Sequence, residues 1–376
     1  MSPPRAWAEI DLGAIKNNLN VARRTAGTAG IMPVVKAGAY GHGLESVARS
    51  LDSEGIAFFG VANVGEARRI SLCGCRTRPY ILGAAAPDER EEITINGWRS
   101  FISTLEEAEH YNSLAALYGK TLPIHISVDA GMGRGGFLPD QLPELISKIP
   151  SWKNLFMEGI GAHLPSADEN EELTKKQILL FEDIVQTLSP IESIRYRHLA
   201  SSAGILNYNV PSANLVRPGL MLYGYSPLDN ELGSQLIPAL KLKSRITVVR
   251  TLPAGHGISY GSTFITKKPT QVATVGIGYA DGYMRILARK GASVYYKDQF
   301  CPVLGRVTMD QIMINVSQVA SPSPGDEVEI IGPHISAAHL ANLAETIPWE
   351  ILTAIGPRIP RFYGEREESP SPHWTA

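Results

Sequence analysis

Short apolar runs alternate with longer stretches of helical period through the first three-fifths of this chain. Runs with the character of buried strands begin near Ile31, Ala57, Pro79, Ser100, Pro123, Met157, Ile194 and Asn214. Each is followed by a helical or short connecting segment. The clearest helix is predicted over 171–188, where Leu173, Leu180, Phe181, Ile184, Val185 and Leu188 share one face and Ser189-Pro190 ends it. Another is predicted over 12–25, with Asp11 as N-cap and Ile15, Leu19 and Ala22 inward. Eight strand–helix units are the count of a (β/α)8 barrel. A doubly wound open sheet would show the same alternation, but no G-x-G-x-x-G fingerprint accompanies it.

After a polar stretch at 229–235 the texture changes. Segments 240–250, 271–276, 300–304 and 311–316 are short, rich in Val and Ile, and separated by turn signals such as Ser321-Pro322-Ser323-Pro324-Gly325-Asp326. That is the pattern of an antiparallel β domain, interrupted by one helix near 336–346. The expected organisation is therefore α/β: an N-terminal (β/α)8 TIM-like barrel over 1–235, then a mainly antiparallel β domain over 236–376. From Glu365 the chain is rich in Pro, Ser and Glu and is expected to fray.

Composition narrows the functional classes. The 376 residues carry a net charge of −2, which gives no attraction to nucleic acid or to an anionic membrane. No apolar run approaches the ~20 residues of a membrane span, and the N-terminus lacks the apolar core of a secretory signal. Of the three cysteines, Cys73, Cys75 and Cys301, the first two are too close for an ordinary bridge, and no His or Cys set at zinc spacing accompanies them. Free thiols, no metal and a cytoplasmic location are expected.

The chemistry begins at Pro33-Val34-Val35-Lys36-Ala37-Gly38-Ala39-Tyr40-Gly41-His42-Gly43. A lysine at the end of a buried strand loses solvation, which lowers its pKa and supplies the neutral amine needed for covalent attachment to a carbonyl. The glycine-rich turn that follows lets backbone N–H groups approach an anion. More clusters fall where barrel strands should end, the face on which barrel active sites are built. Arg134 sits in the glycine-rich loop Asp129-Ala130-Gly131-Met132-Gly133-Arg134-Gly135-Gly136, where it can bind a carboxylate in bidentate fashion. His163 follows the sixth strand and could stack on a flat ring. Ser201-Ser202 and Arg217-Pro218-Gly219-Leu220 follow strands seven and eight, the usual phosphate site of such barrels. The β domain adds Gly257-Ile258-Ser259-Tyr260-Gly261, Gly278-Tyr279-Ala280-Asp281-Gly282 and Gly305-Arg306-Val307-Thr308-Met309-Asp310-Gln311.

The run V-V-K-A-x-A-Y-G-H-G, followed in order by the three C-terminal motifs, resembles the alanine racemases, which use pyridoxal 5'-phosphate (PLP). The likeness extends from Arg5-Ala6-Trp7-Ala8-Glu9-Ile10-Asp11 to Arg358-Ile359-Pro360-Arg361. It implies a racemase that interconverts L- and D-alanine, with serine or larger amino acids as further candidates. Lys36 would hold PLP and act as one base, and Tyr260, reaching in from a second subunit, would be the other. A head-to-tail homodimer follows. The resemblance also assigns the phosphate to Tyr40, Ser202, Gly219 and Leu220, ring packing to His163 and the pyridine nitrogen to Arg217. Arg134 and the Met309 N–H would hold the substrate carboxylate. Tyr279 and Arg285 would line the mouth of the site, and Asp310 would support its loop.

Three positions depart from the family's common pattern. Gly38 stands where Asn or Asp is usual, and Ser127 stands where a lysine usually orients the arginine at 134. Pro357 replaces a tyrosine that touches phosphate and substrate pocket. Two other readings bear on the same fold. A non-catalytic PLP-binding protein would resemble the barrel half alone, without the β domain that carries Tyr260. A PLP-dependent amino-acid decarboxylase would carry Cys-Glu-Ser-type and Asp-Ala-type C-terminal motifs, which are missing here.

Overall fold

The computed structural model describes residues 4–365, so the tail expected to fray lies, beyond Glu365, outside the described residues. The chain forms two compact units. Among the described residues, one comprises 15–39 and 44–237, the other 4–14, 40–43 and 238–365.

In the first unit six strands pair in parallel in chain order: Phe59–Val61, Pro79–Ile81, Arg99–Ile102, Leu122–Ser127, Leu155–Gly161 and Tyr196–His198. Two further strands, Gly30–Ile31 and Leu215–Val216, pair with each other. Single bridges, Val34 to Gly60 and Ser201 to Arg217, join this pair to the six, so the ring of eight parallel strands closes. The pattern of apolar runs thus locates the (β/α)8 barrel correctly. Helices between the strands start where polar caps allow it: Asn63, Thr104 and Asn170 each accept an N–H from the first turn that follows. The helix Leu12–Ala26 begins as expected, with Asp11 Oδ1 accepting the Ala14 N–H at 3.0 Å.

The helix Glu171–Thr187 corrects one detail. Its buried face is Thr174, Gln177, Ile178, Phe181 and Ile184, while Leu173 is exposed. Thr174 can be buried because its hydroxyl donates to the carbonyls of Ser166 and Asn170 at 3.1 and 2.7 Å. Such a self-satisfied polar residue reads as surface in a hydropathy pattern.

Inside the barrel, Met32, Phe58, Tyr80, Phe101 and Leu215 form an aromatic-rich cluster. Two imidazoles, His125 and His198, are fully buried among these rings. Gly159 and Gly161 make room for them, since a methyl group at either position would fall on the His125 or the His198 ring. Those glycines are a packing requirement of the strand Leu155–Gly161.

The second unit is built on a sheet of eight strands in the order Thr270–Val275, Ile312–Asn315, Gln299–Leu304, Ser293–Tyr296, Glu327–Ile331, Leu240–Leu252, Ala6–Asp11 and Arg361–Gly364. All pairings are antiparallel except Ala6–Asp11 with Arg361–Gly364. The long strand Leu240–Leu252 shifts register between Ile246 and Val248 and also pairs with Thr270–Val275, which closes the sheet on itself. The helix expected near 336–346 is Ala337–Ala344, capped by the Ser336 side chain, and a second, unexpected one follows at Pro348–Thr353.

Where the hydropathy pattern suggests one cut, after 235, each unit is assembled from separate stretches of the chain. The wholly buried strand Ala6–Asp11 pairs with Leu240–Leu252, far away in sequence. The 40–43 turn also belongs to this second unit. A side chain at Gly41 would strike the Leu352 carbonyl, one at Gly43 would strike the Tyr363 ring, and Arg361 donates to the Gly41 carbonyl at 3.1 Å. A buried strand records that it is covered, not by what, so hydropathy alone cannot show these placements.

Candidate active site

Lys36 ends the first barrel strand, whose backbone continues in register past Ile31: the Met32 and Val34 N–H groups donate to Val216 and Pro218 carbonyls at 2.9 and 2.8 Å. The chain then makes a left-handed turn. Ala37, Gly38, Ala39 and Tyr40 all have φ between 52 and 62°. This conformation costs an L-residue about 1–2 kcal/mol, and only glycine and, less freely, Asn or Asp enter it routinely. Gly38 therefore satisfies the same backbone demand as the Asn or Asp usual at its position.

The turn is fastened by Glu66, which sequence reasoning missed. Its carboxylate accepts the Gly38 N–H at 3.2 Å and the Ala62 N–H at 2.9 Å. Its sequence signal is a capping pattern, Asn63 three residues before Glu66; the Asn63 side chain does accept the Glu66 N–H at 3.0 Å. Nothing in that pattern reveals the second, long-range partner. Burial holds the Lys36 amine below the usual lysine range, the positive charges of Arg134 and Arg217 lower it further, and the Glu66 carboxylate opposes them.

Arg134 lies in the loop after the fifth of the eight strands. Asp129 organises that loop by accepting the N–H groups of Gly131, Met132 and Gly133 at 2.7–3.1 Å. The Arg134 guanidinium is exposed and has no hydrogen-bond or ion-pair partner among the described residues, and neither does the Ser127 hydroxyl. The arginine is presented on a fixed loop with its donors open.

Ser202, Gly219 and Leu220 converge after the last two strands. The buried Ser202 Oγ accepts the N–H groups of Gly219 and Met221 at 3.0 and 3.2 Å, so its own O–H remains the donor. That donor and the neighbouring backbone fit a phosphate. Arg217 is 5% exposed, yet burial lowers it only to about 10, so it stays charged at neutral pH. Its Nη groups donate to His198 Nδ1 at 2.6 Å, to the carbonyls of Ala162, His198 and Leu199 at 2.7–3.1 Å, and to His163 Nδ1 at 3.2 Å. His163 is neutral: burial, then Arg217, Arg134 and Lys36, hold it down at about 3.

Behind Arg217 runs a chain of buried polar groups that sequence reasoning also missed. His198 Nε2 and His125 Nδ1 are 3.0 Å apart, His125 Nε2 lies 3.5 Å from Glu158, and Arg99 holds Glu158 at 2.9 and 3.0 Å. Burial keeps both imidazoles neutral, which fixes the direction of donation. Arg217 gives to His198 Nδ1, so His198 Nε2–H gives to His125 Nδ1, and His125 Nε2–H faces the Glu158 carboxylate. Arg217 donates to two imidazoles that are far weaker bases than its guanidinium, so it keeps its proton and charge.

The β unit carries the remaining candidates on its surface. Tyr260, Tyr279 and Met309 are 68, 44 and 51% exposed. Tyr260 follows Ser259, which has φ 63° and ψ −176°, a conformation strained for any residue with a Cβ. The strain is held by Ser259 Oγ donating to the Arg306 carbonyl at 2.7 Å. Tyr279 and Ala280 donate their N–H groups to the carbonyls of Thr308 and Met309, so these two motifs form one surface. Beneath it the buried Asp281 accepts the Gly278 N–H and Arg358, and Arg358 also holds Asp310 at 2.8 Å. Pro357 and Arg285 are exposed. Tyr40 is buried, which pushes its phenol up to about 12. Among the described residues no group of His, Cys, Asp and Glu could hold a metal ion, and no helix is long and apolar enough to cross a membrane.

A closed parallel barrel with a desolvated strand-end lysine, a neutral imidazole, a buried arginine and a hydroxyl-lined cup after the last two strands defines a PLP-binding enzyme of the barrel class. The profile of the alanine racemase N-terminal domain matches residues 10–227, and that of the alanine racemase C-terminal domain matches 239–363. The chain is 39% identical over 367 residues to an alanine racemase of Carboxydothermus hydrogenoformans, covering 95% of this chain and 99% of the relative. Its structure is similar to that of alanine racemase from Clostridium difficile 630, with a TM-score of 0.92, 33% identity and 99% of each chain covered. It is similar also to alanine racemase from Bartonella henselae with covalently bound pyridoxal phosphate, with a TM-score of 0.87 and 29% identity over 96% of this chain and all of that one. The chain belongs to the alanine racemase family and is a PLP-dependent isomerase.

Proposed function

We propose that this enzyme interconverts L- and D-alanine with two bases, Lys36 and Tyr260 of the partner subunit, in a head-to-tail homodimer. The observation that carries the reading is the split of the candidate groups. A lowered-pKa lysine beside an open arginine lies in the barrel, while Tyr260 stands exposed on the β unit. Racemisation removes the Cα proton on one face and returns one on the other, so two bases must flank the substrate. Lys36 handles the proton on one face and Tyr260 on the opposite face. PLP, when bound, disperses the negative charge left at Cα.

The remaining residues orient the substrate and cofactor. Arg134 and the Met309 N–H take the substrate carboxylate. Tyr40, Ser202, Gly219 and Leu220 hold the phosphate, and His163 packs its neutral ring on the cofactor. Arg217 faces the pyridine nitrogen and keeps its proton, which disfavours transamination. Tyr279 and Arg285 line the mouth, and Asp310, fastened by Arg358, supports the Met309 loop. Pro357, smaller than tyrosine and without a hydroxyl, leaves room for serine or longer side chains. A cytoplasmic location accords with three unbridged thiols.

The test is direct. Purified protein given PLP should turn yellow, and borohydride should fix the cofactor on the peptide containing Lys36. Chiral chromatography should show L-alanine converted to an equal mixture. Labelling at another lysine, or decarboxylated product in place of D-alanine, overturns the reading.

A further inference from the structure

The segment Cys73-Gly74-Cys75 takes no part in the racemase site, and its geometry points to a function of its own. We propose that Cys73 and Cys75 are a thiol-oxidation site that closes reversibly to an intramolecular disulfide when a low-molecular-weight disulfide such as oxidised glutathione is present. The two Sγ atoms lie 3.4 Å apart, in contact but unbonded. A disulfide needs about 2.05 Å, so the two sulfurs must approach by roughly 1.4 Å.

The backbone holds the pair in place from both sides. Cys73 is the C-cap of the helix Val64–Leu72, and its N–H donates to the Arg69 carbonyl at 3.0 Å. Gly74 then reverses the chain at φ 87°, a conformation that a side chain would strain, and this brings the two cysteines together. Just past Cys75 the Asp52 carboxylate accepts the N–H groups of Arg76 and Thr77 at 3.0 and 2.8 Å. The site is also reachable. Both cysteines are half-buried, while Leu72, Gly74 and Arg76 around them are exposed.

The hydrogen bonds order the reaction. Cys73 donates its S–H to the Ile70 carbonyl at 3.2 Å, so the hydrogen between the two sulfurs comes from Cys75. Cys73 Sγ, which accepts the Cys75 S–H, is the sulfur that attacks first, while burial and the neighbouring Cys73 push the Cys75 thiol up to about 12 in the reduced pair. Cys73 attacks the small disulfide and releases one thiol, leaving a mixed disulfide on Cys73. Cys75 then gives up its proton, attacks the Cys73 sulfur and releases the second thiol. Two cysteine thiols are oxidised by two electrons and one small disulfide is reduced to two thiols. The short ring strains the product and makes it easily reduced, so a reducing compartment keeps the pair open.

Trypsin leaves both cysteines on the single peptide 70–76, which makes the test simple. The holoenzyme is equilibrated with glutathione buffers of rising oxidised fraction, quenched in acid, alkylated and digested. The peptide should lose both alkylation sites together, weigh two hydrogens less, carry no glutathione, and recover fully with dithiothreitol. Cys301, buried and pushed up to about 11, should stay unreacted throughout. Cys75→Ser should stop at a glutathione adduct on Cys73 and Cys73→Ser at an adduct on Cys75, and neither variant should form the internal disulfide. A peptide that keeps both alkyl groups in fully oxidised buffer, or that retains glutathione on both cysteines, overturns the proposal.

Discussion

The barrel and the β unit carry their chemistry in opposite ways. Lys36, His163, Ser202 and Arg217 are buried or half-buried, and neighbours within their own unit set their charge and orientation. Tyr260, Tyr279 and Met309 stand on the surface of the other unit, Tyr260 placed by the turn that Ser259 fastens to Arg306, the other two by the Asp281–Arg358–Asp310 cluster beneath their motifs. A buried group can be tuned by its own fold. Exposed side chains are set by their own turns and stay open to solvent, so the proposed role of Tyr260 depends on a second copy of the chain.

That contrast can be broken most sharply by separating the halves. Lys36→Ala and Tyr260→Phe should each lower racemisation by at least ~10²-fold, the range for losing a positioned proton-transfer group. If the halves meet between subunits, exchanging the two variants should return roughly a quarter of wild-type activity, since half the dimers are hybrids with one intact site of two. Verified exchange with no recovered activity would mean that each chain completes its own site.

The next largest effect should come from the barrel's internal fastening. Glu66→Ala leaves the Gly38 and Ala62 N–H groups without their acceptor, at about 1–3 kcal/mol each where no water replaces it. PLP loading should fall with stability. Glu66→Gln keeps the shape and removes the charge that raises the Lys36 pKa, so the Lys36 amine should titrate lower than in wild type. The pH dependence of its acylation in cofactor-free protein reads this, and an unchanged profile reduces Glu66 to a helix cap.

On the β unit the expected effect is smaller and concerns selectivity. Pro357→Tyr should cut kcat/KM for serine relative to alanine, on the scale of about 1–3 kcal/mol for pocket discrimination. It should also tighten PLP. Unchanged ratios across alanine, serine, lysine and arginine would remove Pro357 from the specificity surface.

The gentlest probe is acid. His163 sits at about 3 in the fold and near 6.5 when unfolded, and His125 and His198 are also lowered by burial. Below pH 6.5 the unfolded chain binds protons that the fold refuses, so stability present at neutral pH is lost as pH falls. The slope is about 1.4 kcal/mol per pH unit for each proton taken up by the unfolded chain alone. Urea unfolding of the cofactor-free protein between pH 7 and 5 should show it, with barrel probes shifting before those of the β unit. Equal shifts in both would remove the difference in how the units bury their charge.

Much of this molecule was legible from sequence because its signals are local. The alternation of apolar runs and helical periods fixes eight strand–helix units, since side-chain period reports which faces are covered. Lys36 and its glycine-rich turn were legible for the same reason: a strand end, a lysine and a backbone demand for left-handed φ fall within a few residues. Gly38 illustrates both sides, because its departure from Asn or Asp is visible in the sequence but explained only by its φ of 62°.

What tertiary structure alone decided is the identity of distant partners. The strand Ala6–Asp11 shows in sequence only as a short buried run at the start of the chain, yet it pairs with Leu240–Leu252. Glu66 reads as a helix cap, yet it also fastens the turn after Lys36. His125, His198, Glu158 and Arg99 are scattered polar residues on separate strands until barrel closure lines them up behind Arg217. Hydropathy records how far a residue is removed from water. Which group replaces the water is settled by geometry across many tens of residues, and that geometry exists only once the strands have closed.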